Sequence, residues 1–148
     1  MTTIVYDHKN KQIACDSRET AGGYLVTDEA VKYYMRDKVV WFICGTKGDA
    51  NIFIDSFEHN KEVPANVECS GLFVENGVAY LACISDGIFK KDDVASNDGV
   101  GSGGWQALSA VDLGKTAKEA VEFAMIRDIH SGGKVHVYDI EKGEFINS

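Results

Sequence analysis

Short apolar runs dominate the hydrophobic pattern of this chain, and most of them have the length of a β-strand. Residues 3–8 and 12–16 flank a polar Lys-Asn-Lys turn, which predicts an antiparallel hairpin. An Asn-Gly dipeptide separates two further runs, at 67–75 and 78–85, and it is the strongest hairpin signal in the sequence. The pattern therefore predicts a protein built mainly on paired strands.

The middle of the chain changes from strand to helix. Residues 39–44 form a continuous apolar run, typical of a strand that is buried on both faces. Thr46 follows as a predicted N-cap, with Asp49 at the third helical position as a weaker form of the capping box. Apolar spacing then predicts a helix that continues to about residue 60.

The remaining strand signals are weaker. Residues 25–26 and 30–35 suggest two short strands, and residues 134–140 alternate between apolar and polar positions. A last short strand is expected after the turn that follows. Residues 90–99 are polar and predict a loop.

Two more helices are predicted in the second half of the chain. A glycine-rich start opens a helical stretch over residues 101–113. Thr116 and Glu119 form a full capping box ahead of the next helix, and the glycines of residues 131–133 are expected to stop it. Helices grouped between sheet segments favour a layered α+β arrangement over alternating βαβ units.

Composition restricts the class of protein. The 148 residues are expected to form a single domain, 1–148, with 45% hydrophobic residues and no need of disulfides to hold a core. With 15 basic and 23 acidic residues the formal charge is −8, which argues against nucleic-acid or anionic-membrane partners. The start of the chain turns polar too early for a signal peptide, and no apolar run is long enough to span a bilayer. We therefore expect a cytoplasmic protein.

The four cysteines give no metal-binding spacing. Cys15, Cys44, Cys69 and Cys83 lie in apolar runs, without a Cys-x-x-Cys pair or a histidine at zinc spacing. We expect neither a metal nor another cofactor. An even count is compatible with disulfides, but unpaired thiols are expected for a cytoplasmic chain.

Thr2 is the first candidate for chemistry, because removal of Met1 would leave its α-amine beside its own hydroxyl group. Such an amine has a pKa of about 7.7–8.0 and can act as the general base for that hydroxyl. Asp16 and Arg18 end the second predicted strand beside Thr2, and the alternation of residues 30–35 points Lys32 inward. A surface ion pair and a solvated strand face are the alternatives for these charged residues.

Two glycine-rich segments are also candidates. Residues 101–104 open a helix and are able to hold an anion there, although glycine-rich helix starts are common. Asp128 and residues 131–133 lie at a helix C-terminus, where the simpler interpretation is a glycine stop.

Taken in order, these segments resemble one family. They are Thr2-Thr3-Ile4-Val5, Asp16-Ser17-Arg18, Lys32, Gly45 ahead of Asp49-Ala50, Gly101-Ser102-Gly103-Gly104, and Asp128 with Ser131-Gly132-Gly133. The set resembles the proteasome β-subunits, and in particular the bacterial HslV peptidase, over nearly the whole chain.

The resemblance implies an N-terminal-nucleophile (Ntn) hydrolase fold. In class terms this is α+β, a four-layer αββα sandwich of two antiparallel sheets. Because only one helix is predicted between residues 46 and 60, one helical layer is expected to be thinned, and with it the surface that stacks two rings in the family.

The resemblance also implies a role for each catalytic position. Thr2 would be the nucleophile and, through its amine, the base, while Asp16 and Lys32 would form the charged pair that tunes it. Gly45 would donate its N–H to the oxyanion, and Ser102, Asp128 and Ser131 would surround the amine. Substrate contacts are implied for these residues: Arg18, Glu19, Thr20, Ala30, Ile43 and Lys47.

The function implied is a threonine-type endopeptidase acting on peptides or unfolded proteins. Such an enzyme would form a homo-oligomeric ring and would be fed by an AAA+ ATPase unfoldase. The charged Glu19 and Lys47 leave the specificity of its first pocket open. Two alternatives are a non-catalytic scaffold or binding module, and an Ntn amidase acting on small substrates.

Overall fold

Antiparallel β-strands make up most of the regular secondary structure of the computed structural model, which describes residues 1–146. Within those residues the strands are β1 (Ile4–Asp7), β2 (Gln12–Cys15), β3 (Glu19–Ala21), β4 (Tyr24–Thr27), β5 (Tyr33–Arg36), β6 (Val39–Gly45), β7 (Cys69–Glu75), β8 (Val78–Ser85), β9 (Ile88–Asp93), β10 (Asp98–Val100), β11 (His136–Asp139) and β12 (Glu144–Ile146). The α-helices of the same part of the chain are α1 (Ala50–Ser56), α2 (Gly104–Asp112) and α3 (Ala117–Met125).

The strands form two five-stranded sheets and one separate hairpin. The first sheet has the order β10-β1-β2-β11-β12, and the second has the order β5-β6-β7-β8-β9. Strands β3 and β4 pair only with each other and form the hairpin. All of these pairings are antiparallel.

The main core lies between the two sheets. Ile4 and Ile13 of the first sheet are wholly buried, and they belong to the same apolar cluster as Phe42 and Leu72 of the second. Because side chains alternate along a strand, every second residue of β1 and β2 enters this core, and the others face the opposite side. Packing between the two sheets fixes the distance between the start of β1 and the end of β6. The site described below lies between these two points.

Helices α2 and α3 cover the outer face of the first sheet. Val5 and Ala14 face outward from β1 and β2, and they pack against Ala107, Ala120 and Val121 of the two helices. Alanine at these helical positions lets the helix backbones approach the sheet closely. The loop after α3, which carries Asp128 and Ser131, is thereby held next to the start of β1.

The outer face of the second sheet is covered differently. Helix α1 has only seven residues, and its Phe53 packs against Trp41 at 6.3 Å between ring centroids. The non-helical residues 57–68 cover the rest of this face, and Phe57 makes edge-to-face contacts with both Trp41 and Phe73. A cluster of aromatic rings therefore replaces most of a helical layer.

The expected four-layer αββα sandwich of an Ntn hydrolase is wrong. The described residues form a mainly antiparallel β-structure with three short helices of seven, nine and nine residues. The physical reason is that the chain after α1 remains extended and contributes aromatic side chains instead of helical turns. One helix pair on one sheet and one two-turn helix on the other do not make two helical layers.

Local predictions failed where tertiary contacts decided the structure. The helix expected to reach residue 60 ends at Ser56, and the Thr46 side chain caps nothing. The polar residues 90–99 were expected to be a loop, but they contribute to β9 and β10 because those strands lie at sheet edges, where polar side chains remain solvated. Lys32 precedes β5 instead of lying within a strand.

The Asn-Gly turn and the second predicted cap are confirmed. Asn76 and Gly77 adopt φ values of 52° and 75°, as a tight hairpin between β7 and β8 requires. Thr116 and Glu119 form the reciprocal capping box at the start of α3.

The four cysteines are free thiols, and burial raises the pKa of Cys15 to about 12. No helix within residues 1–146 is long and apolar enough to cross a membrane.

We expect Thr116→Ala to lower the free energy of unfolding by about 1 kcal/mol, because it leaves the N–H group of Glu119 without its side-chain acceptor. Thr46→Ala is the matched control, since Thr46 is also exposed and makes no capping hydrogen bond. Chemical denaturation of both variants measures the difference. Equal losses in the two variants would contradict the role assigned to the capping box.

Candidate active site

Thr2 lies immediately before β1 and is almost completely buried, with 4% of its surface exposed. Its carbonyl oxygen accepts hydrogen bonds from the N–H group of Gly103 and the hydroxyl group of Ser102, both at 3.4 Å. A Cβ atom at Gly101 would lie 2.0 Å from the same carbonyl oxygen, so glycine is required there. The glycine-rich start of α2 therefore holds the backbone of Thr2 in place.

Asp16, at the end of β2, is the centre of a buried hydrogen-bond network. Its carboxylate is wholly buried and accepts from the backbone N–H groups of Thr3, Arg18 and Gly132 at 3.0–3.1 Å. The Lys32 ammonium donates to both of its oxygens. A buried charge is tolerated when it is paired and fully hydrogen-bonded, and this carboxylate meets both conditions.

Lys32 reaches the site from the segment before β5. Its Nζ atom lies 3.0 and 3.1 Å from the two oxygens of Asp16 and 3.0 Å from the carbonyl oxygen of Met1. With 10% of its side chain exposed, it is a nearly buried cation. The ammonium group is thus fixed beside the Met1–Thr2 peptide bond.

Asp128 organises a second network on the other side of Thr2. One oxygen, Oδ2, accepts from the hydroxyl groups of Ser102 and Ser131, each at 2.6 Å, and Oδ1 accepts from the N–H group of His130 at 3.1 Å. Burial by itself would raise the pKa of this carboxyl group. The hydrogen bonds from Ser102, Ser131 and His130 outweigh burial, so the pKa lies below its usual value and the group is ionised at neutral pH.

Gly45 ends β6 opposite Thr2. Its φ angle is 120°, and a Cβ atom there would lie 2.1 Å from the carbonyl oxygen of Glu68. Only glycine fits this conformation and this contact. Gly45 lines the same two cavities as Thr2.

Arg18 is held in an ion pair. Its Nε and Nη2 atoms donate to the two oxygens of Asp28 at 2.8 and 3.0 Å, and Nη1 donates to the carbonyl oxygen of Ile129. The hydrogen bond with Asp28 raises the pKa of Arg18 and lowers that of Asp28. Gly132 leaves room for the guanidinium group, since a Cβ atom there would lie 2.5 Å from Nε. Arg18 therefore fastens the hairpin to the loop after α3.

A first cavity of about 510 Å³ opens beside Thr2. Its walls include all six residues expected to contact substrate, namely Arg18, Glu19, Thr20, Ala30, Ile43 and Lys47. Glu19 and Lys47 form an ion pair of 2.7 Å across its exposed side, and Thr20 Oγ1 lies 3.2 Å from Nδ1 of His130. Ala30 and Ile43 keep part of the lining apolar.

A second cavity of about 340 Å³ adjoins the first at Thr2. Thr2 and Gly45 line it together with Cys44, Ser70 and Gly101. Thr2, Cys44 and Gly45 line both cavities, so Thr2 lies where the two meet.

The structure brings the predicted catalytic residues together around Thr2. Lys32 and Gly45 line the first cavity, and Asp16 and the Ser102–Asp128–Ser131 group lie behind it. Three contributors were missed: Tyr34 in the cavity wall, Asp28 as the partner of Arg18, and Thr3 between the two carboxylate networks. The repeated Thr2-Thr3 pair was the only sequence signal for Thr3. Within residues 1–146, no group of three or more His, Cys, Asp or Glu side chains is placed to hold a metal ion.

Comparison with known proteins finds similarity in structure alone. No protein-family model matches the chain, and no curated protein matches its sequence. A solved structure of Thiobacillus denitrificans BPH has a TM-score of 0.67 and 15% sequence identity, and the match covers 93% of this chain and 95% of that one. Thiobacillus denitrificans BPH in complex with epoxomicin gives a TM-score of 0.68 and 14% identity, covering 93% of this chain and 97% of that one. At this identity the comparison shows a shared fold.

Proposed function

We propose that this chain is a threonine-type endopeptidase whose nucleophile is Thr2, made N-terminal by removal of Met1. The observation that carries the proposal is the position of Thr2 beside the buried Lys32–Asp16 pair and in the wall of two adjoining cavities. The complex of the similar Thiobacillus denitrificans protein with epoxomicin, a proteasome inhibitor, also supports a peptidase.

In the first step, Thr2 Oγ1 attacks the carbonyl carbon of the scissile peptide bond while the free α-amine of Thr2 takes the hydroxyl proton. The oxyanion that forms accepts a hydrogen bond from the N–H group of Gly45. Collapse of the intermediate breaks the C–N bond, and the ammonium returns its proton to the leaving amine. Water then attacks the ester on Thr2, with the same amine as base, and releases the acid.

Lys32 has an electrostatic role in this reaction. Asp16 holds its ammonium group in one position, and the Met1 carbonyl oxygen accepts from the same Nζ atom. Removal of Met1 frees that donor on the side of Thr2. A cation fixed there stabilises the negative charge that develops on Oγ1 and disfavours protonation of the nearby amine.

The two cavities favour an endopeptidase over an amidase that acts on small substrates. An amidase for a small acyl group needs space on the acyl side of the nucleophile only. Here two cavities of about 510 and 340 Å³ meet at Thr2, and together they offer more room than a small acyl group needs. A peptide that continues on both sides of the cleaved bond makes use of both.

We also propose that the chain assembles with further copies of itself. The outward face of α2, α3 and the adjoining loops exposes large apolar side chains: Trp105, Leu113, Phe123, Ile126 and Ile129, each 49–85% exposed. The charged residues of the same face are balanced, with Asp112, Glu119 and Glu122 against Lys115, Lys118 and Arg127. Because the whole chain carries −8, this neutral face meets a second copy with little of the repulsion that the rest of the surface would cause.

Thr2→Ala is expected to lower peptide hydrolysis by at least about a thousandfold, because it removes the attacking oxygen. Thr2→Ser keeps a hydroxyl group beside the amine and should retain measurable turnover. Intact mass must first establish that Met1 is absent from each protein. Unchanged turnover in Thr2→Ala would end the proposal, and a chain that retains Met1 and is inert would favour the non-catalytic scaffold.

Lys32→Ala should lower kcat by at least about a hundredfold, the scale of losing one preorganised donor. Lys32→Arg should restore little of it, since a planar guanidinium does not reproduce the compact ammonium between Asp16 and Thr2. Lys61→Ala, at an exposed lysine remote from both cavities, is the control. A Lys32→Ala protein with most of its rate would show that Lys32 only neutralises Asp16.

Light scattering should give a mass several times 16.2 kDa. Trp105→Glu is expected to reduce that mass, because it places a charge in the apolar face of α2. The control is Val78→Glu, since Val78 is also an exposed apolar residue but starts β8, away from that face. A monomer at all protein and salt concentrations would contradict self-assembly.

A further inference from the structure

We propose that the hydroxyl group of Thr3 positions the catalytic amine of Thr2 by fixing the orientation of the Ser131 hydroxyl group. The inference rests on the proposed function, because it concerns the base of that reaction. Thr3 itself touches neither substrate nor the reacting atoms, so it is a positioning residue.

Thr3 joins the two carboxylate networks of the site. Its backbone N–H donates to Oδ1 of Asp16 at 3.1 Å, and its side-chain Oγ1 lies 2.6 Å from Oγ of Ser131. Both Thr3 and Ser131 are wholly buried, so bulk water does not compete for these hydrogen bonds. Thr3 therefore connects the Asp16–Lys32 pair, assigned to the nucleophilic oxygen, with the Ser102–Asp128–Ser131 group, assigned to the amine.

The protons in this chain of hydroxyl groups have only one consistent arrangement. Ser131 has a single hydroxyl proton, and it is donated to the ionised Asp128, which can only accept. The 2.6 Å contact between Thr3 and Ser131 must then use the proton of Thr3. The direction is thus Thr3 to Ser131 to Asp128, and each donor strengthens the next.

This direction fixes the remaining acceptor position of Ser131. A hydroxyl oxygen accepts two hydrogen bonds, and Thr3 occupies one of them. In the proposed arrangement, the other lone pair accepts from an N–H of the amine of Thr2, the residue before Thr3. Without the Thr3 proton, only Asp128 would hold the Ser131 hydroxyl group, its side chain would be freer to turn about χ1, and the amine would lose a fixed acceptor.

Gly103 shows how closely the Thr3 hydroxyl group is enclosed. A Cβ atom at Gly103 would lie 1.9 Å from Thr3 Oγ1, which no real pair of atoms tolerates. The φ angle of Gly103 is −96°, which other residues also adopt, so the obstacles are the Thr3 side chain and, at 3.1 Å, Oδ2 of Asp128. Gly103 therefore leaves the space that the Thr3 hydroxyl group occupies beside Asp128.

The test compares Thr3→Val, which is nearly isosteric but has no hydroxyl group, with Thr3→Ser, which keeps it. In Met1-free protein, Thr3→Val should lower kcat about tenfold with little change in KM, the effect of losing one hydrogen bond in a network with a charged member. Thr3→Ser should stay close to the parent. If Thr3→Val does not fold, as judged by thermal unfolding, Thr3→Ala replaces it, since it removes the hydroxyl group and adds no atom near Asp128.

A second readout separates positioning from a merely structural role. An acceptor held against the ammonium favours the charged form, so losing it should lower the pKa of the Thr2 amine, by about 0.5. The acidic limb of the kcat/KM profile then moves to lower pH in Thr3→Val and not in Thr3→Ser. NMR titration of the amine measures the same pKa without any turnover.

The outcomes are distinguishable. An active parent with a Thr3→Val variant of unchanged kcat and amine pKa would overturn the inference and leave the proposed function intact. A parent that is inert without Met1 would overturn the proposed function, and with it the catalytic meaning of Thr3. In that case an unchanged amine pKa in Thr3→Val would also exclude the hydrogen-bond link itself.

Discussion

The buried carboxylate of Asp16 is the interaction on which the site depends. Its five hydrogen bonds come from the start of β1, from the turn after β2, from the loop after α3 and from Lys32. Removing any one donor leaves charge uncompensated in a dry interior, where such a loss is costly. The carboxylate thereby makes the relative positions of four chain segments mutually dependent, and the cavities beside Thr2 exist only while those positions hold.

Four glycines allow the chain segments around the Asp16 carboxylate to approach one another closely. At Gly45, Gly101, Gly103 and Gly132 an added Cβ atom would meet a backbone or side-chain atom within 2.5 Å. The segments that Asp16 and Asp128 gather therefore approach more closely than residues with side chains permit. Because the backbone is densely packed around Thr2, many hydrogen-bond donors of the site are main-chain N–H groups and few are long side chains.

Several features were predictable because they depend on few neighbouring residues. The Asn76-Gly77 turn needs only the backbone freedom of two residues, and the Thr116–Glu119 box needs one turn of helix. The strand character of residues 90–99 and the early end of α1 depend on sheet edges and aromatic packing from distant segments, which a single sequence does not display. The resemblance named residues that the structure gathers around Thr2, and their catalytic roles stay predictions, whereas the four-layer sandwich drawn from the same resemblance was wrong. The Arg18–Asp28 pair and the link through Thr3 could be found only in the three-dimensional structure.

Charge pairing in the first cavity has a consequence for how a substrate arrives. Each cation that lines it has its own carboxylate, with Arg18 on Asp28, Lys32 on Asp16 and Lys47 on Glu19. The cavity therefore adds little net attraction of its own, while the whole chain carries −8. The long-range field that an approaching ligand meets is set by the outer surface, which favours positively charged ligands and weakens as salt screens it. We therefore expect ionic strength to change the association rate of a ligand more than its contacts within the cavity.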